Sequence, residues 1–344
     1  MDQLQLKIIR IIPETKNAST FVIERSDGQP LQYEAGQFLT LIVTPKETQL
    51  RRSYSFSSTP LFDDFISITI KRIANGEASR WLLDHLAIGD IVISLPASGK
   101  FTVETNIEQS RQFFFIVAGS GITPAFSLIK KILIKEPHSE VFLFYQNRDE
   151  DNIIFEAQLL ILQNDHPLKF KWVNFLSRPR NRFWQAERLN NPSLEKWIRA
   201  YWNIEKKQAC FLCGPTSFMR MAQFTLKEMG VTDDSIRKEY FTVDFIPPPP
   251  FIVNPGFREI RIFRNNQVFR LRAAYPTNIL QAALDNHIQL PYSCRGGRCS
   301  TCVARLIKGK VKMSINEVLT EQEVKEGWVL TCVGYPETDI ELSF

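Results

Sequence analysis

The chain has 344 residues, 44% of them hydrophobic and 23% charged, with a formal net charge of +5, values ordinary for a globular protein of two or three domains that each bury a core. So small a charge gives no reason to expect nucleic acid or a membrane surface as a partner. No apolar run approaches the roughly 20 residues of a membrane span, and Met1–Pro13 has neither the long apolar core nor the cleavage site of a signal peptide, so the cytoplasm is the expected compartment.

The first hundred residues read as strands: Leu4–Ile12, Thr20–Glu24, Phe38–Val43, Arg52–Phe56, Phe65–Arg72 and Ile91–Leu95. Gly, Pro, Asn and Asp punctuate them, the pattern of an antiparallel barrel or sandwich. A helix is expected over Arg80–Leu86. From Arg111 the period changes. Strands at Phe113–Ala118, Val141–Gln146, Phe170–Phe175 and Ala209–Leu212 alternate with helices at Pro124–Lys135, Ile154–Gln163, Ser193–Tyr201 and Ser217–Met229. The start of the third helix is expected at Asn191 or Ser193. Such alternation implies a parallel sheet covered on both faces. Pro247–Pro250 is a stiff run that reads as an interdomain spacer. Beyond it, Glu259–Arg264 and Gln267–Arg272 flank Asn265-Asn266 as a hairpin. A short helix over Asn278–Asn286 and strands at Val303–Lys308, Val311–Met313 and Ile340–Phe344 follow.

Ser293–Cys302 reads S-C-R-G-G-R-C-S-T-C, and Cys332 follows in T-C-V-G. The spacing of Cys294, Cys299 and Cys302 with a distant fourth cysteine is that of a plant-type [2Fe–2S] site. Gly296 and Gly297 let the loop wrap closely, so that its N–H groups face sulfur. Zinc or a disulfide is the alternative, although zinc loops usually bring two short paired arms. The remaining pair, Cys210 and Cys213, could be a zinc or redox C-x-x-C, although no second pair is available to complete a metal site.

Two further stretches carry chemistry. Arg52-Ser53-Tyr54-Ser55 lies on a predicted strand, where Arg52 and Tyr54 share one face. That face suits an arginine for a diphosphate and a ring edge for a flat cofactor, or is ordinary packing with a solvated charge. Gly119-Ser120-Gly121-Ile122-Thr123-Pro124 joins the first parallel strand to a helix, the place where an open α/β sheet binds a dinucleotide. Pro124 stands where the common fingerprint has its third glycine, so the stretch alone also fits a plain strand–helix turn. The four histidines sit in no constellation, and no nucleophile–base pair supports hydrolysis.

In this order the motifs resemble the ferredoxin–NADP reductase superfamily with a C-terminal plant-type [2Fe–2S] ferredoxin domain, and the reductase components of the phenylacetyl-CoA oxygenase type. The resemblance covers essentially the whole chain. It implies a multidomain α+β and α/β protein: an FAD-binding antiparallel β-barrel (1–107), an NAD(P)-binding parallel-sheet α/β domain (108–243), a proline-rich linker (244–257) and a β-grasp ferredoxin domain (258–344). Arg52, Tyr54 and Ser55 then match the flavin signature. Lys71 ends a strand beside the flavin, Gly76 and Ser79 seat its diphosphate, and Phe241, in E-Y-F, covers it. Gly119, Gly121, Thr123 and Pro124 match the family's G-x-G-x-x-P, and Cys213, Gly214 and Pro215 its landmark beside the nicotinamide. Ser55 and Cys213 are the expected catalytic residues, and the four cysteines the expected cluster ligands.

Ser177 and Arg178 resemble the element that holds the 2′-phosphate of NADPH, with Asn147-Arg148 as a second candidate. NADPH is therefore the expected donor and NADH the alternative, as FMN is to FAD. The implied activity is an NAD(P)H-dependent oxidoreductase that splits electron pairs and feeds single electrons through the cluster to a separate oxygenase, hydroxylase or desaturase. A redox sensor, or an electron carrier with a degenerate nucleotide site, is the competing class. The basic tint of Arg295, Arg298, Arg305, Lys308, Lys310 and Lys312 suits either an acidic docking face or plain solvation.

Overall fold

Alternating apolar residues build the N-terminal sheet. In the computed structural model, which describes residues 3–45, 49–60, 62–181, 183–241 and 256–344, its elements are β1 (Leu4–Thr15), β2 (Ala18–Arg25), β3 (Phe38–Val43), β4 (Leu50–Ser55), β5 (Ile66–Lys71), α1 (Glu77–His85) and β6 (Ile91–Ser94). The antiparallel strands run in the order β4-β3-β6-β1-β2-β5. The outer strands meet through a Phe56–Ile68 bridge, which closes the sheet into a barrel. Leu6 and Ile8, Leu39 and Leu41, and Ile68 and Ile70 alternate into its core, as the two-residue strand period requires. Helix α1 begins three residues before the expected Arg80, at the turn made by its cap Gly76.

The second sheet contains β7 (Arg111–Ala118), α2 (Ile122–Lys135), β8 (Glu140–Asn147), α3 (Glu156–Asp165), β9 (Phe170–Leu176), α4 (Asn191–Tyr201), β10 (Lys207–Cys213), α5 (Thr216–Glu228) and β11 (Ile236–Glu239). All strand pairs are parallel, in the order β11-β10-β7-β8-β9. Phe113, Phe115 and Val117 enter the core on one face, while Phe114 and Ile116 enter the other. This explains why β7 is apolar without alternation. The helix starts here differ from expectation by one or two residues. Helix α2 begins at Ile122 after a tight turn over Gly119–Gly121, and Pro124 is tolerated because the first-turn N–H groups have no helical partner. Helix α4 is capped by Asn190, whose side chain accepts the Ser193 N–H. The polar edge strand β11 carries no apolar pattern, so nothing in the local sequence announces it.

Helix α2 is buried along most of its length because it packs against both sheets. Phe101 and Val103, at the end of the barrel segment, share a core with Leu128 and Ile129 of α2. Polar ties reinforce this seam. Thr59 Oγ donates to Ser127 O at 2.8 Å, Ser127 Oγ donates to Ser58 O at 2.6 Å, and Lys130 pairs with Asp63 and donates to Ser57 O at 3.1 Å. Gln3–Phe241 is accordingly one compact unit.

The other compact unit takes in Thr242–Phe344; the Pro247–Pro250 run lies outside the described residues. Its elements are β12 (Arg258–Arg264), β13 (Gln267–Ala273), α6 (Ile279–Asp285), β14 (Val303–Lys308), β15 (Val311–Met313), α7 (Glu321–Lys325), β16 (Trp328–Leu330), β17 (Gly334–Pro336) and β18 (Ile340–Ser343). A five-stranded sheet in the order β13-β12-β18-β14-β16 shares its core with α6. The β12–β13 hairpin turns on Asn265 and Asn266, both at positive φ, as a two-residue I′ turn demands. The elements α7, β16 and β17 are too short to show a period and go beyond the sequence expectation.

Candidate functional site

The order of the parallel strands places a topological switch beside β7. The chain moves outward through β8 and β9, then returns to β10 on the opposite side of β7. Ligands of open α/β sheets bind at the carboxyl ends of strands flanking such a switch. The two expected turns meet there. A Cβ on Gly121 would lie 2.2 Å from Cys213 O and 3.1 Å from Gly214 N, so the glycine is required by backbone proximity. Thr123 Oγ donates to Ser120 O at 2.9 Å and steadies the turn, and Pro215 caps α5.

A cleft of about 500 Å³ opens on the other side of β7, over the ends of β7, β8 and β9, lined by Lys71, Gly119, Gln146, Asn147, Arg148, Ser177, Arg178 and Arg188. It gathers Gly119, Arg148, Ser177 and Arg178 from the residues singled out in the sequence. It also holds Asn147, which precedes Arg148 in the second candidate stretch, and adds Gln146 and Arg188, which belong to no motif, and Lys71, which was expected beside the flavin. Lys71 Nζ lies 3.2 Å from where a Gly119 Cβ would stand, and burial lowers its pKa against the opposing pull of Asp149. Arg148 lies 4.0 Å from Asp149. Among the described residues no carboxylate pairs with the side chain of Arg178 or Arg188, and both are exposed.

Opposite the turn, three buried groups converge. Ser55 Oγ, at the end of β4, donates to Glu239 Oε2 at 3.1 Å, and Glu239 is the register partner of Cys213 on neighbouring strands. Burial pushes the Glu239 carboxyl up to about 8, partly offset by the Ser55 hydrogen bond. Burial and the nearby Glu239 hold the Cys213 thiol protonated well above its ordinary range. In the sequence Glu239 is only the first residue of E-Y-F; its meeting with Ser55 depends on β11, the strand that no local pattern announces. Cys210 is no partner for Cys213, since residues three apart on a strand face opposite sides and the two cysteines enter different cores.

On β4, Arg52 is exposed and Tyr54 half-buried, and Arg52 donates to Arg51 O at 2.8 Å. Burial raises the Tyr54 phenol while the neighbouring Arg52 charge lowers it, as expected for one face. Gly76 is sterically required, since a Cβ would meet Ser79 Oγ at 2.6 Å. Ser79 lies in the first turn of α1, accepting the Ile73 N–H at 3.1 Å and donating to Gly76 O at 3.3 Å. Phe241 is 40% exposed, two residues beyond Glu239.

The cysteine loop is wound by left-handed residues at Arg295, Gly297 and Ser300. Gly296 N–H donates to Cys294 Sγ at 3.3 Å and Cys294 N–H to Cys299 Sγ at 3.5 Å. Cys294 adjoins Cys299 and Cys302 adjoins Cys332, with Cys294 also against Cys332. The Thr331 N–H and hydroxyl both donate to Cys302 O, at 3.1 and 3.0 Å. All six cysteines are free. Among the described residues no His, Cys, Asp or Glu side chains gather in threes around a single ion, whereas a two-iron cluster shares four thiolates between its irons. Arg298 is 4% exposed, so it takes no part in a basic surface. No helix among the described residues is long and apolar enough to cross a membrane.

Comparison with known proteins agrees with this geometry. Residues 5–102 match the oxidoreductase FAD-binding domain family, 115–223 the oxidoreductase NAD-binding domain and 262–337 the 2Fe-2S iron-sulfur cluster binding domain. The ferredoxin reductase component of 3-ketosteroid-9-alpha-monooxygenase from Mycobacterium tuberculosis is 32% identical over 99% of this chain and 96% of its own length. One of the subunits of 1,2-phenylacetyl-CoA epoxidase from Escherichia coli is 29% identical over 98% of this chain and 97% of its own. Phthalate dioxygenase reductase shares the fold, with a TM-score of 0.61 and 21% identity over 99% of this chain and 98% of that one. The chain belongs to the family of oxidoreductases that join an FAD-binding, an NAD-binding and a 2Fe-2S domain, the family of the ferredoxin reductase components of monooxygenases.

Proposed function

We propose that the protein oxidises NADPH through FAD and a [2Fe–2S] cluster and delivers single electrons to a separate oxygenase, hydroxylase or desaturase component. The full-length similarity to monooxygenase reductase components supports a separate acceptor, and free cysteines suit a reducing cytoplasm. When bound, a flavin accepts two electrons together as hydride and releases them singly, which is the exchange a nicotinamide and an iron–sulfur centre require.

The residues divide this work. Arg52 supplies charge for the flavin diphosphate, Tyr54 packs against the flavin, and Gly76 with Ser79 shapes the turn at α1. Gly119, Gly121, Thr123 and Pro124 bring free N–H groups of the α2 terminus to the dinucleotide diphosphate. Cys213, Gly214 and Pro215 border the nicotinamide, with the protonated thiol adding no charge there. Ser55 holds its hydroxyl proton toward Glu239, which at neutral pH retains its own proton and leaves the hydride site uncharged. Phe241 shields that site from water. Cys294, Cys299, Cys302 and Cys332 hold the cluster, and loop N–H groups aimed at sulfur stabilise the added electron.

The single observation behind NADPH is the pair of guanidinium groups, Arg178 and Arg188, that line one cleft with Ser177 and meet no carboxylate among the described residues. A 2′-phosphate asks for such charge and a hydroxyl. Anaerobic titration with each nucleotide, followed by absorbance, tests the reading. Bleaching of both flavin and cluster bands at lower NADPH than NADH is expected; half-reduction at lower NADH would overturn the donor assignment.

A further inference from the structure

One side chain of the cleft has polar atoms that the described residues leave unused. Asn147 ends β8 and is 4% exposed, yet it lines the cleft. Its backbone is fixed: the carbonyl accepts the Ser177 N–H at 3.0 Å and the Ser177 hydroxyl at 3.4 Å, along with the Gln146 amide at 3.0 Å. Its Nδ2 and Oδ1 are both buried and neither makes a well-formed hydrogen bond among the described residues. The polar group beside it is the Tyr145 hydroxyl, already donating to Gly119 O at 3.0 Å and accepting the Ile154 N–H at 3.3 Å. Buried amide atoms left unpaired are costly, so such a group is kept where a ligand completes it.

The identity of the orphan atoms selects the ligand group. One is a donor and the other an acceptor. An ionised phosphate accepts only, and would leave Oδ1 facing negative charge. A hydroxyl both donates and accepts. The cleft already offers Arg148, Arg178, Arg188 and Ser177 to phosphate. Asn147 also stands at the carboxyl end of the strand following the Gly119 turn, where open α/β sheets place the group that meets the adenosine ribose. We infer that the Asn147 carboxamide reads the 3′-hydroxyl of the adenosine ribose, the hydroxyl that stays free when the 2′ position carries phosphate. This rests on the reading of the cleft as the dinucleotide site.

The test is a thermodynamic cycle on the full-length holoprotein. Inhibition constants of ADP, 2′-deoxy-ADP and 3′-deoxy-ADP against NADPH-dependent ferricyanide reduction are measured for wild type, Asn147→Ala and Asn147→Ser. The second variant keeps a polar atom should the alanine protein misfold. Wild type loses about tenfold on removal of the 3′-hydroxyl and little on removal of the 2′-hydroxyl. Both variants lose about tenfold for ADP and no longer distinguish ADP from 3′-deoxy-ADP. Equal weakening of all three ligands, or unchanged binding, would overturn the role of Asn147. Wild type that ADP does not inhibit competitively would instead overturn the cleft assignment itself.

Discussion

Ser55 and Glu239, 184 residues apart in sequence, share a buried hydrogen bond of 3.1 Å between the end of the barrel's β4 and the edge of the parallel sheet. Each is at most 7% exposed, so the contact couples a barrel residue to a carboxyl beside Cys213. Replacing Ser55 with Ala should slow flavin reduction by NADPH about ten- to a hundredfold while leaving flavin content intact. Stopped-flow reduction at saturating NADPH measures it, and an unchanged rate would show that the hydroxyl serves packing alone.

The same pair predicts a pH dependence of stability. Burial lifts the Glu239 carboxyl from an ordinary 4.5 to about 8. Below about 4.5 both folded and unfolded states carry the proton. Between about 4.5 and 8 the unfolded state releases it and the folded state keeps it, so stability falls as pH rises through that window, by roughly 3–5 kcal/mol if no other group compensates. Above about 8 the contribution is gone. Thermal unfolding from pH 5 to 9 should show a declining Tm in wild type and a flatter profile in Glu239→Gln. Parallel profiles would mean that Glu239 is ionised in the folded protein.

The phosphate reading predicts a selective loss. Removing either guanidinium, in Arg178→Ala or Arg188→Ala, should raise KM for NADPH tenfold or more, a charge-assisted contact being worth about 1.5–3 kcal/mol. KM for NADH should change less than twofold. Steady-state kinetics with both donors decide it, and equal effects would remove the case for 2′-phosphate recognition.

How much of this is legible in the chain follows from what each signal encodes. The Phe113–Ala118 run announces a strand covered on both faces, because burial leaves that stretch no polar side. Asn265-Asn266 announces its turn, because their positive φ suits few other residues. Strand β11 has two basic side chains and a Glu among four residues; its place comes from pairing with β10, which no local pattern records. Glu239 is therefore visible as a letter and invisible as a neighbour of Ser55. Gln146 and Arg188 likewise sit in no motif. They matter because three strand ends meet at one cleft, and that meeting is a property of topology. Lys71 shows the same limit, lying at the end of the barrel strand β5 yet reaching the Gly119 turn.

The cluster unit offers a prediction that separates its chemistry from the rest. Cys299→Ser should abolish the iron–sulfur absorbance and the paramagnetic signal of the reduced cluster. NADPH-to-ferricyanide activity, supported by Gln3–Phe241, should persist. Loss of flavin reduction in the same variant would show that the two compact units do not operate independently.

Gly121 gives the most local test of the nucleotide turn. Its φ of −61° and ψ of −11° are open to any residue, so an alanine there brings no backbone strain. What forbids it is the Cys213 carbonyl oxygen 2.2 Å from the new Cβ, with backbone on both sides and no flexible side chain to yield. Gly121→Ala must push the two turns apart, at a cost of about 1–3 kcal/mol, and should raise KM for NADPH tenfold or more. Gly89→Ala is the control: its φ is +99° with nothing within 4 Å, so strain alone should lower Tm and leave KM unchanged. Measured together, a KM shift confined to Gly121→Ala would identify close approach of the Gly119–Pro124 and Cys213–Pro215 turns as the feature that shapes nucleotide binding; a shift of the same size in both variants would contradict it.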